Sequence, residues 1–331
     1  MRSFASNTWQ RRGFLKGLAC SMLPLAACRR QTSNEIKEAG FHEWSGIGFG
    51  IGMSMELHGI DPALGESLGL RCQEEIGALE NAFSLYLENS ELSRLNRERV
   101  LRQPSPLFKD LLKRAIDLES KTLGFYQPAI HGTWQWLAAH QYRIEAHDKA
   151  AWQRLCAAAD CRYIEQTKDG GVRLMHPLTQ LSMNAIGQGY LADRVAQMLV
   201  GSGVRHAMLH LGETYTIGHH PDGRMWKLAV MGTAVDGEAD LVGEMELADA
   251  GLAVSANEAT RVLINPVGAC LQQLDRVAAV VSHEGATIAD AFATAFAVAP
   301  RDRWGELSLE LKRQGESQVK VWEQNQLAFS A

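Results

Sequence analysis

The chain has no apolar run long enough to cross a bilayer. Nor has it a surplus of basic charge: 33 Lys and Arg stand against 38 Asp and Glu, for a net charge of −5. Arg2, Arg11, Arg12 and Lys16 fall in the first 27 residues, which hold no acid, so the remainder is more acidic still. A broad basic surface for nucleic acid is thereby excluded. An anionic nucleotide would have to be met by a local device, such as a metal ion or a helix N-terminus. Cysteine is scarce, six in 331 residues. Cys156 and Cys161 lack the spacing of a redox or zinc motif, so free thiols are expected. There is no internal repeat and no low-complexity segment. The glycine-rich run Gly46-Ile-Gly-Phe-Gly-Ile-Gly52 lacks the Lys-Ser/Thr ending of a phosphate loop and reads as a strand and a turn.

What remains is an ordinary globular composition, 46% hydrophobic and 21% charged. The N-terminus reads as an address. Gln10-Arg-Arg-Gly-Phe-Leu-Lys16 resembles the twin-arginine export motif without its usual Ser/Thr, and a short apolar stretch follows from Gly17 to Ala27. It ends in Leu25-Ala-Ala-Cys28, which resembles a lipobox; Cys28 is then the expected lipidated first residue and the only membrane link. Simple cleavage near Ala27 is the alternative. Residues 1–27 are thus assigned to the signal, 28–45 to a polar tether and 46–331 to one folded domain.

Periodicity predicts a helix over about 65–86, a second capped by Ser105 and stopped near Gly124, and a third after Asp148. Others are expected over about 189–200, around Asp290 with Thr287 as its cap, and after Pro300. Strands are expected over 172–175, 181–183, 207–211, 215–218, 227–230, 261–264, 276–281 and 318–322. The mixture has no regular βαβ rhythm, so the fold class is α+β, with mixed or antiparallel sheets flanked by helices, rather than a Rossmann fold.

The segment Ala289-Asp-Ala-Phe-Ala-Thr-Ala-Phe296 carries most of the chemistry. Asp290 and Thr294 are one helical turn apart and share a face. Two hard oxygens in an apolar wall need a partner. A Mg²⁺ ion carrying substrate phosphates would serve both. The structural alternative is an Asp in the first turn and a Thr hydroxyl bonded back to its own helix.

Further segments fall in a telling order. Phe83-Ser-Leu-Tyr-Leu-Glu-Asn-Ser-Glu-Leu-Ser-Arg-Leu-Asn96 resembles the early signature of the ApbE-type FAD:protein FMN transferases, once described as thiamine-biosynthesis lipoproteins. Ile186-Gly-Gln-Gly-Tyr-Leu-Ala-Asp193, Leu209-His-Leu-Gly212, Trp226 and Ala289–Phe296 resemble later segments of that family, in its order. The resemblance runs from about residue 46 to 325. It implies a T-fold-related architecture and transfer of the FMN half of FAD to a Thr or Ser hydroxyl of an acceptor flavoprotein, with AMP released. It also implies Mg²⁺ held by Asp290, Thr294 and the Gly187 carbonyl, and FAD contacts from Met53, Tyr86, Tyr126, Gln188, Gly212 and Ser255.

The departures from the family pattern are specific. Phe-Asp-Pro-Thr is here Tyr126-Gln-Pro-Ala129, the acid before the central helix is Ser182, the usual Lys is Gln188, and Gly-Gly is Gly212-Glu213. Thr-Ser-Gly reads Val254-Ser-Ala256, and His-Ile-Ile-Asp-Pro reads Val262-Leu-Ile-Asn-Pro266. Loss of an acid–base His costs about 10²–10⁴ in rate. Glu213, His210 and Glu258 are candidate replacement bases. Three activities remain open: an exported FMN transferase, a non-catalytic FAD-binding lipoprotein, and an FAD pyrophosphatase.

Overall fold

The computed structural model describes residues 40–233, 239–257, 263–268, 270–271 and 275–331. The export signal, Cys28, Glu258 and Val262 lie outside the described residues. The glycine-rich run turns back at Phe49-Gly50, both with positive φ. Phe41–Gly48 (β1) and Ile51–His58 (β2) therefore pair antiparallel, from Phe41↔His58 to Gly48↔Ile51. This moves one expected boundary: residues 41–45, assigned to the tether, are strand.

The first helix, α1 (Pro62–Phe83), begins earlier than its apolar stripe. Asp61 caps it by accepting from the Ala63 and Leu64 amides, and Pro62 needs no amide partner there. It stops at Phe83, which leaves Tyr86 in the following loop. Helix α2 (Glu91–Glu98), capped by Ser90, is too short to show a period in the sequence. Strand β3 (Val100–Leu101) follows, then α3 (Pro106–Lys121), capped by Ser105 as expected. Next come α4 (His131–Ala139), α5 (Lys149–Ala158), β4 (Ile164–Gln166) and β5 (Val172–Leu174). Strands β3, β5 and β4 form a small sheet in that order. Leu181–Met183, expected as a strand, is irregular; only its neighbour Gln180 makes a bridge, to Ile130.

The second half supplies α6 (Gly187–Gly201), β6 (His206–Leu211), β7 (Glu213–Ile217), β8 (Trp226–Thr233), β9 (Ala239–Leu247) and β10 (Ala250–Asn257). Then come β11 (Ile264–Asn265), β12 (Cys270–Leu271), β13 (Arg276–Ser282), α7 (Ala286–Val298), α8 (Trp304–Gln314), β14 (Ser317–Glu323) and β15 (Gln326–Ser330). Eight strands make one antiparallel sheet in the order β1-β2-β6-β7-β10-β13-β14-β15. The fold is α+β, as expected.

The two faces of this sheet decide where the site lies. Leu209, Leu211, Ala253, Ala278 and Val280 face the helices α1, α6 and α7. Met208, Leu252, Val277, Ala279 and Val281 face the β8–β9 ribbon with Trp226 and Leu228. Strand β13 is covered on both faces, so all of it is buried and it reads as a continuous apolar run rather than an alternating one. Helix α7 is equally enclosed. Its alanines let it press onto β10 and β13, and only Ile288 and Thr294 are not fully buried.

Candidate active site

Helix α7 is positioned by a neighbour rather than by itself. Thr287 is not its cap, contrary to expectation. Gly285 holds the N-cap position with no side-chain bond, and Asp193 of α6 does the capping from outside. Its carboxylate accepts from the Ala286 amide, the Thr287 amide at 2.9 Å and the Thr287 hydroxyl. The helices meet at Gly189, where any Cβ would collide with the Ala286 backbone. Asp193 was legible only as a motif residue; the signal for its role is a helix beginning Gly285-Ala-Thr with no capping side chain of its own.

This docking brings the start of α6 against Asp290. The Gly189 amide donates to Asp290 Oδ2 at 3.3 Å. One turn on, Thr294 Oγ1 and Ser255 Oγ of β10 share a hydrogen bond of 3.2 Å. The amide of Val254, next to Ser255, donates to Glu213 Oε2 at 3.2 Å. Glu213 follows Gly212, whose φ of +95° makes the β6–β7 turn. A Cβ on Gly212 would lie 2.6 Å from Gln188 Cγ, so Gln188 packs over that turn. Gln188 precedes Gly189, and the ring closes.

The two acids of the ring are buried, while Gln188, Ser255 and Thr294 are half-buried. Asp290 is 4% exposed and Glu213 7%. Burial pushes the Asp290 carboxyl up to about 7; the Gly189 amide opposes this and the Asp193 charge adds to it. Burial, and then the charge of Asp290, raise the Glu213 carboxyl well above the usual range against the pull of the Val254 amide. Among the described residues, no Lys, Arg or His forms an ion pair with either acid. Tyr126 lies within electrostatic reach of Asp290. Its hydroxyl is fully buried and has no hydrogen-bond partner among the described residues. Burial first, then the charges of Cys161, Asp290 and Glu119, hold it protonated.

The expected site residues divide clearly. Gly187, Gln188, Gly212, Glu213, Ser255, Asp290 and Thr294 belong to the ring or adjoin it, and Tyr126 lies within electrostatic reach of Asp290. Met53 is buried in the helix-side core against Ile76 and Gly48. Tyr86 stands in the loop after α1, 57% exposed. His210 is removed from the Asp290 face. It pairs with Thr214 beside Met208↔Thr216 and so faces the β8–β9 ribbon. Its Nδ1 meets Thr214 Oγ1 at 3.0 Å, its Nε2 is buried without a partner, and burial pushes its pKa down to about 4. Glu213 lies opposite Leu211 across the turn and faces the helices.

Two departures from the family pattern have local structural uses. The Gln127 side chain accepts from the Ala129 amide and the Cys161 thiol and donates to Glu119. Asn265 Oδ1 accepts from the Val267 and Gly268 amides, holding the turn after β11. Cys72 and Cys161 are free thiols, as expected for Cys161.

The donor set fits a small hard cation. One buried carboxylate, the Thr294 hydroxyl and the start of α6 converge, with acid in surplus. Among the described residues, no three His, Cys, Asp or Glu side chains group as metal ligands.

A model described as the ApbE family matches residues 49–316. A search of curated proteins finds no match. Among solved structures, the flavin transferase ApbE of Vibrio cholerae is 18% identical with a TM-score of 0.68, over 86% of this chain and 93% of that one. The apo flavinyl transferase ApbE of Pseudomonas stutzeri is 19% identical with a TM-score of 0.68, over 88% and 94%. The ApbE protein of Thermotoga maritima is 15% identical with a TM-score of 0.72, over 88% and 96%.

Proposed function

Because this chain belongs to the ApbE family, we propose that it transfers FMN from FAD to a Thr or Ser hydroxyl of an acceptor protein and releases AMP. The observation that supports this most is the closed ring around Asp290 and Thr294, with its surplus of buried acid. Asp290, Thr294 and the Gly187 carbonyl would hold Mg²⁺, which when bound neutralises the pyrophosphate of the substrate. Attack of the acceptor hydroxyl on the flavin-side phosphorus forms one P–O bond, breaks the bond to AMP, and passes the hydroxyl proton to the departing phosphate or to solvent. Such transfer depends on positioning and charge neutralisation more than on a strong base. In this reading the Gly189 amide orients the Asp290 carboxylate and Ser255 fixes the Thr294 hydroxyl.

The test is purified protein with FAD, Mg²⁺ and a target domain carrying an acceptor Thr, read by in-gel flavin fluorescence and AMP release. Labelled target plus AMP supports transfer. FMN and AMP without label would make the chain a pyrophosphatase, and bound FAD with neither product would make it a flavin carrier. Asp290→Ala is expected to lower Mg²⁺-dependent turnover at least 100-fold; unchanged turnover would return Asp290 to a structural role. We propose also that the chain acts outside the cytoplasm, anchored through a lipidated Cys28. Mass spectrometry of the N-terminal peptide from the membrane fraction tests this, and an unmodified Cys28 there would remove the anchor.

A further inference from the structure

We propose that Glu213 is a second carboxylate ligand of the Asp290 cation site, so that this chain holds a divalent cation before any nucleotide arrives. The inference rests on the reading of Asp290 and Thr294 as cation ligands.

Position comes first. Glu213 is the first residue of β7, and its side chain turns toward the helices with Leu211. The ring of contacts through Val254, Ser255, Thr294, Asp290, Gly189 and Gln188 encloses it. One backbone amide reaches each carboxylate, at 3.2 Å for Glu213 and 3.3 Å for Asp290. A carboxylate has room for about four donors, so one long bond leaves most of its need unmet.

Compensation comes second. No basic side chain pairs with either acid among the described residues, and no hydrogen bond joins the two carboxyl groups there. A shared proton bridging them would require that direct bond. The Tyr126 hydroxyl, buried, without a hydrogen-bond partner among the described residues and within electrostatic reach of Asp290, is a further polar group on that side that no side chain satisfies. Two carboxylates, a hydroxyl and a backbone carbonyl form an all-oxygen set, which suits Mg²⁺ or Mn²⁺ over softer metals.

The charge count sets the consequence. A site with one carboxylate leaves a divalent ion half neutralised and dependent on the phosphates of its substrate. A second carboxylate completes the neutralisation within the protein, and affinity rises with ligand charge. Metal binding is thereby uncoupled from flavin binding.

The experiment uses the purified flavin-free protein titrated with Mn²⁺, read by the electron paramagnetic resonance signal of the free ion, with Mg²⁺ as competitor. One Mn²⁺ per chain is expected, displaced by Mg²⁺. Glu213→Gln, of the same shape without the charge, is expected to weaken Mn²⁺ binding tenfold or more while keeping the parent's circular dichroism and metal-free melting temperature. Equal Mn²⁺ affinity in parent and variant overturns the proposal. So does a parent that takes up no Mn²⁺ until FAD is added, whether or not the variant folds. That second result would leave the transferase reading standing. Conversely, Mn²⁺ binding with no FAD uptake at saturating Mg²⁺ would remove the transferase reading and keep the Glu213 site.

Discussion

Helix α7 has a buried charge at each end of its length, and the two are handled in opposite ways. At its C-terminus Arg276, 1% exposed, is fully provided for within the chain. Its guanidinium donates to the Phe296, Ala297 and Ala299 carbonyls and to Glu323, at 2.6 Å in the shortest bond to that acid. It also lies over the Trp304 ring at 4.8 Å. The last carbonyls of a helix lack partners and carry partial negative charge, so a cation there satisfies both needs. In the N-terminal half, Asp290 and Glu213 have one amide each and no cation. The same chain therefore compensates one buried charge completely and leaves two acids under-compensated a few turns away. The contrast separates a structural lock from a site waiting for an ion.

The sharpest way to break this contrast is to remove each charge in turn. Arg276→Ala takes the buried one of two arginine partners from Glu323 and leaves the Phe296, Ala297 and Ala299 carbonyls without this donor, and should cost about 3–5 kcal/mol of stability in denaturant unfolding. Asp290→Asn in metal-free protein should cost nothing, or stabilise by about 1 kcal/mol, since it removes a buried charge that no cation balances. A loss below about 1 kcal/mol for Arg276→Ala would end the claim that this end is a lock. A large loss for Asp290→Asn would make both ends structural.

The next effect concerns what holds the two ends in place. Asp193→Ala deprives the Ala286 and Thr287 amides and the Thr287 hydroxyl of their acceptor. The expected cost is about 1–2 kcal/mol, as for loss of a helix cap. Amide exchange should quicken at Ala286 and Thr287 and stay slow at Phe296. Uniform acceleration along α7 would mean that Asp193 supports the whole helix rather than the half carrying Asp290.

How far the sequence discloses this arrangement follows from the kind of signal each part leaves. Ser105 and Gly124 mark helix ends locally, and those ends are where they were expected. Helix α2 has too few turns to show a period, and Leu181–Met183 is apolar because it is buried, not because it pairs. The Asp290–Thr294 pair is visible as an i, i+4 spacing on one helix. Its ring is not, because Glu213, Ser255 and Gly189 come from separate strands and another helix. Alternation along β6 and β7 also separates Glu213 from His210, rival candidates in the sequence with Glu213 the better placed. Only the register, with Leu211↔Glu213 and His210↔Thr214, shows that they face opposite layers.

The smallest effect tests the lock by pH. Burial tends to raise the Glu323 carboxyl, but hydrogen bonds from Arg301 and Arg276, and their charges, outweigh it and hold it below the usual value of 4.5. A carboxyl depressed in the folded state adds stability above its unfolded value and loses it as pH falls through the folded one. The lock should therefore weaken only below about pH 4.5. Arg301→Ala removes the outer partner, which is 68% exposed and so contributes under about 1 kcal/mol at neutral pH. The variant should fall slightly below the parent at pH 7, and its acid loss, starting from the same unfolded value, should be smaller and complete at higher pH, as read by urea unfolding across pH 3–7. If parent and variant lose stability over the same pH range, the buried Arg276 alone sets the ionisation of Glu323. The lock would then be one pair rather than three charges.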